Sequence, residues 1–81
     1  MIRVRRKLVD KLTGATTISE VNLSCLGCLV NDYTTIKSII STFGNVVFID
    51  KPNGFDAYLL NPDGSRQLIA EYKVIHFDTM E

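Results

Sequence analysis

Asn31-Asp32-Tyr33-Thr34-Thr35-Ile36-Lys37-Ser38-Ile39-Ile40-Ser41-Thr42-Phe43-Gly44 is the stretch on which the fold turns. Ile36, Ile39, Ile40 and Phe43 stand at i, i+3, i+4 and i+7, with Tyr33 one turn earlier, which makes one face of a helix apolar. Asn31 or Asp32 offers a side-chain oxygen to a free backbone N–H as N-cap, and Gly44 ends the helix as the C′ residue. The isoleucine stripe is expected to be core.

Strand signals surround this segment. Ile2-Arg3-Val4-Arg5 alternates apolar and charged, so Ile2, Val4 and Leu8 share one face, with Arg6 as the exception. Arg3, Arg5, Lys7 and Lys11 share the other, around Val9. A helix through Val4, Leu8 and Leu12 would instead scatter the cations around its axis. Asp10-Lys11-Leu12-Thr13-Gly14 reads as a hairpin loop, with Gly14 at the left-handed position. Thr16 to Leu23 is β-branched, but Ile18 and Val21 fall out of phase, which predicts a bulge or an edge strand.

Asn45 to Asp50 is a continuous apolar run, read as a central strand. Lys51-Pro52-Asn53-Gly54 and Asn61-Pro62-Asp63-Gly64 are turns with Pro at i+1. They bracket a strand from Phe55 to Leu60. Arg66 to Phe77 is the longest strand, with Leu68, Ala70, Tyr72 and Val74 on one face. Asp78 to Glu81 is expected to fray.

The order is β-β-α-β-β-β over residues 1–81. It implies a single α+β domain: a mainly antiparallel sheet of about five strands with one amphipathic helix on one face. The hairpin from Leu12-Thr13-Gly14 through Glu20-Val21 resembles the first hairpin of ubiquitin, and so does the helix start Asp32-Tyr33-Thr34-Thr35-Ile36-Lys37. Together they cover about half the chain. The resemblance implies a β-grasp-like arrangement and carries no functional residue with it.

Composition bounds the function. The chain has 81 residues, 46% hydrophobic and 22% charged, with nine cations, nine acids and two cysteines. That suits one modest core and argues against disorder. No apolar run approaches the roughly 20 residues of a membrane span, and no signal peptide is read at the start. A disulfide across the short Cys25–Cys28 loop would staple almost nothing, so a reducing cytoplasm is expected.

The charges are unevenly distributed. Arg3, Arg5, Arg6, Lys7 and Lys11 face only Asp10 in the first eleven residues, which leaves that end at +4 and the remainder at −4. Such a strand can guard a sheet edge against aggregation, pair with an acidic protein surface, or touch phosphates. No RRM- or KH-type signature accompanies it, and the tyrosines do not cluster with it.

Cys25-Leu26-Gly27-Cys28 is the one motif-like element. Two thiolates at this spacing can meet one metal or one another, with His76 as the other soft ligand and Asp78 as a poor fourth. The redox reading wants a helix starting directly after the first cysteine. The caps read at Asn31 and Asp32 come later, which favours two small packed side chains. His76 with Asp78 two residues on is too generic for a general base. No phosphate-binding glycine loop, metalloprotease pattern or paired-carboxylate signature is present.

The expected function is therefore a non-catalytic interaction module without a cofactor, adaptor- or inhibitor-like. It binds an acidic protein partner through Arg3, Arg5, Arg6, Lys7 and Lys11. The alternatives are a nucleic-acid-binding domain using the same strand and a zinc-linked dimer through Cys25 and Cys28. The two oppositely charged surfaces would also allow self-association.

Overall fold

The computed structural model describes residues 1–77, so the expected fray at Asp78 to Glu81 and any ligand role for Asp78 lie outside the described residues. The elements are β1 (Ile2–Val9), β2 (Thr16–Leu23), α1 (Leu26–Ser41), β3 (Val46–Lys51), β4 (Gly54–Leu60) and β5 (Arg66–Phe77). The five strands form one sheet in the order β2-β1-β5-β4-β3, and every neighbouring pair is antiparallel. This is the α+β architecture the sequence implies. In a β-grasp the first and last strands lie side by side in parallel. Here they lie side by side and antiparallel, so the ubiquitin-like expectation fails at the pair that defines that fold.

Turn chemistry sets the hairpins. The Asp10 carboxylate accepts the Leu12 and Thr13 backbone N–H groups while its carbonyl accepts Gly14 N–H, and Gly14 sits at φ 77°. Asp63 likewise accepts both the N–H and the hydroxyl of Ser65. These short polar side chains replace backbone partners that the turn leaves open.

The helix joins the two edge strands β2 and β3 and covers one face. It begins at Leu26 with Cys25 as N-cap, five residues before Asn31. Both expected cap residues are inside it, and its C-cap is Thr42 rather than a residue beside Gly44. The stripe that meets the sheet is Leu29, Tyr33, Ile36 and Ile40, of which Ile40 is fully buried. Ile39 and Phe43 are 51% and 44% exposed, so half of the expected isoleucine stripe lies beside the core rather than in it.

Beneath the helix, Val4, Phe55 and Ala57 are completely buried, with Ile2, Ile69, Ala70 and Tyr72 around them. Phe55 stacks on Tyr72 at 5.4 Å, and the rings of Tyr33 and Phe48 meet Phe55 edge-on. Stacked and edge-on contacts both suit the ring quadrupoles and add to the area buried.

Two register shifts correct the reading of β5. Ala57 pairs Ala70 but Tyr58 pairs Leu68, leaving Ile69 as an extra, buried residue. Leu68 is thereby turned to the face opposite Ala70, Tyr72 and Val74. The second shift skips Ile75, so Val4 pairs Val74 but Arg3 pairs His76. β2, by contrast, pairs β1 without a break and is an edge strand. β3 is the other edge, not a central strand: it pairs β4 alone, and Ile49 is 39% exposed.

Candidate functional site: the open face of the sheet

Alternation along β1 sends Ile2, Val4, Arg6 and Leu8 toward the helix and Arg3, Arg5 and Lys7 to the opposite, uncovered face. The five N-terminal cations are thus divided. Arg6 lies under the helix, where its guanidinium pairs with the Asp32 carboxylate. The other Asp32 oxygen accepts the Tyr72 hydroxyl at 2.6 Å. Burial, then the bond to Asp32, raises the Tyr72 phenol above its ordinary range. Arg6–Asp32–Tyr72 is a structural lock between helix and sheet, so the Arg6 charge is engaged inside the fold and away from the open face. Lys11 lies in the β1–β2 turn, away from the strand cations.

On the open face the central strands β1 and β5 place Arg5 directly opposite Lys73 and Lys7 opposite Glu71. Arg5 reaches outward to Glu20 on β2 at 3.1 Å, and Lys7 approaches Glu71 at 3.8 Å. Arg3 donates to the Asn22 side-chain oxygen at 3.2 Å and forms no ion pair among the described residues. Lys73 is exposed and has no ion pair among the described residues. Sequence reasoning missed Lys73, because only the register of β5 on β1 brings it beside Arg5.

The rest of this face is closed by its own side chains. Lys51 binds Asp56 at 2.5 Å, an ion pair that raises the Lys51 ammonium above its usual range. The Arg66 guanidinium lies 5.5 Å from the centre of the Tyr58 ring. At the helix edge, Lys37 and Tyr33 both donate to Asp50, at 3.2 and 3.0 Å. Hydrogen bonds from Lys37, then Tyr33, hold Asp50 below the usual carboxylate range.

The candidate ligand residues do not converge. Among the described residues, no group of three or more His, Cys, Asp or Glu side chains is placed to share a metal ion. Cys25 and Cys28 meet one another, and His76 instead borders a groove of about 700 Å³ beside Leu29, Tyr33, Pro52 and Val74. The described lining of that groove contains no Ser, Thr, Cys or carboxylate. No described helix is long and apolar enough to cross a membrane. Comparison with protein-family models, curated protein sequences and solved structures finds no match for the chain.

Proposed function

We infer that this chain is a small non-catalytic protein-binding module whose contact surface is the open face of the sheet, and that its partner presents acidic side chains. One observation carries the reading: Arg5 and Lys73 oppose one another across the two central strands of that face. Like charges directly opposite cost a sheet stability, and a carboxylate arriving from a partner would remove the cost. Arg3 and Lys73, which have no carboxylate partner among the described residues, are the cations best able to receive it. Glu20 and Glu71 fix the orientation by repelling a partner docked in the wrong register. Adaptor or inhibitor action in the cytoplasm fits such a surface.

The test is affinity capture from native lysate after nuclease treatment, with the wild type and an Arg3→Gln/Lys73→Gln variant. A stoichiometric protein recovered by the wild type and lost by the variant supports the reading. Recovery that disappears with nuclease assigns the face to phosphates instead. Equal recovery by both proteins removes the open face from the interaction.

A further inference from the structure

We propose that Cys25 and Cys28 form a thiol–disulfide exchange site whose substrates are disulfides. This goes beyond the binding reading and uses a different end of the molecule. The argument begins with the early start of the helix. Cys25 is the N-cap and Cys28 the third helical residue, and the Cys28 backbone N–H donates to the Cys25 sulfur at 3.3 Å. The two sulfurs are 3.0 Å apart and unbonded, with the Cys25 thiol donating to Cys28. Closing them to a bond of about 2.05 Å requires a movement of only about 1 Å.

The surroundings favour a thiolate. Leu26, Gly27 and Cys28 fill the first turn with no acidic side chain, so the positive end of the helix dipole is left for the sulfurs. The Ser24 hydroxyl lies 3.6 Å from the Cys28 sulfur. The Cys25 thiol, then Ser24, lowers the Cys28 thiol below its ordinary value. Gly27, between the two cysteines, adds no side chain to this turn. Cys25 is exposed, Cys28 is half-buried, and the exposed Leu26 and Val30 flank them. Sulfur is also a weaker cap than the oxygen of Ser, Asn or Asp, so a thiol at this position is not explained by helix stability.

The exchange runs in two steps. Cys25, the accessible sulfur, attacks one sulfur of R–S–S–R and passes its proton to the Cys28 thiolate along the hydrogen bond between them. The substrate S–S bond breaks, and the departing thiolate takes that proton from Cys28 and leaves as R–SH. Cys28, again a thiolate, attacks Cys25 in the mixed disulfide and expels the second R–S⁻, which takes a proton from water. The protein loses two electrons in forming Cys25–Cys28, and the substrate disulfide gains them as two thiols.

The test equilibrates the whole chain in glutathione redox buffers, then quenches with acid and counts alkylated thiols by mass. Both thiols should disappear together, with no glutathione adduct accumulating. Cys28→Ser should trap one glutathione per chain on Cys25. Cys25→Ser, which keeps an oxygen cap and hence the helix, should form its adduct at least about tenfold more slowly, because the remaining sulfur is less accessible. Reduced protein that also accelerates insulin precipitation extends the substrate class to protein disulfides, whereas closure by oxidised glutathione alone restricts it to small ones. The proposal is overturned if glutathione accumulates on the wild type without ring closure. It is equally overturned if both thiols stay alkylatable throughout, or if stoichiometric zinc must be chelated away before either reacts.

Discussion

Three positions at the residue scale carry consequences out of proportion to their size. Gly54 begins β4 at φ 158°, and a Cβ there would overlap the Tyr72 carbonyl, with the carbonyl carbon only 2.7 Å away. Gly54→Ala must therefore push β4 off β5, and we expect a loss of about 2–4 kcal/mol in urea unfolding. Asp32 holds Arg6 and Tyr72 at once. Asp32→Ala leaves a largely buried guanidinium without a counter-ion and should cost about 3 kcal/mol, whereas Arg6→Met/Asp32→Leu, which removes both charges, should cost much less. A double variant as unstable as the single one would show that the lock is not an ion-pair effect. Tyr72 gives the cluster a pH signature. Its phenol is raised in the folded state, so its contribution is complete below the unfolded value of about 10 and is lost as pH rises through the folded value. Tyr72→Phe should abolish the most alkaline step in the 295 nm titration and flatten the fall in stability above pH about 10.

At the scale of elements, the hairpins were legible and the helix start was not. Asp10, Gly14, Asp63 and Gly64 perform the turn chemistry their residue types announce, which is why β2 and β5 begin where expected. Asn31 and Asp32 are better caps than cysteine by residue type, but Asp32 is needed about two turns inward beneath the helix, and the chain begins α1 at a sulfur instead. The bulges at Ile69 and Ile75 left no mark in the apolar pattern, because each sits in an apolar run, Leu68-Ile69-Ala70 and Val74-Ile75; they moved Leu68 and His76 to other faces. Edge or centre was unreadable for β3, since an apolar run reports burial and not neighbours. What fastens this edge to the helix is the Lys37–Asp50–Tyr33 cluster. Asp50 is depressed in the folded state, so its contribution is present above the unfolded carboxylate value of about 4 and lost as pH falls through the lower folded value. Thermal midpoints at pH 7 and pH 3 should therefore converge in Asp50→Asn relative to the wild type. At the other end, Cys25→Asp should raise stability by about 0.5–1 kcal/mol through a better cap and a favourable dipole contact while abolishing disulfide closure.

For the whole molecule, one helix on a five-stranded sheet leaves one face bare, and charge decides what that face can meet. The sequence placed five cations at the N-terminus, but pairing and pleat determine their use: Arg6 is turned inward, Lys11 is left in a turn, and Lys73 is brought from the far end of the chain. Net charge alone could not indicate that division, because β1–β5 pairing joins residues about seventy positions apart. Arg3 and Lys73, exposed on that face, contribute little to the fold. Arg3→Gln/Lys73→Gln should thus shift the thermal midpoint by no more than about 4 °C. The most direct test is the affinity of the captured partner for three proteins: the wild type, this double variant, and Lys11→Gln as a turn control. An open-face site predicts at least about a tenfold loss in the double variant, near-wild-type binding by the control, and weaker wild-type binding as salt rises. Unchanged affinity in the double variant, with the fold intact, would contradict the assignment of the open face as the binding surface.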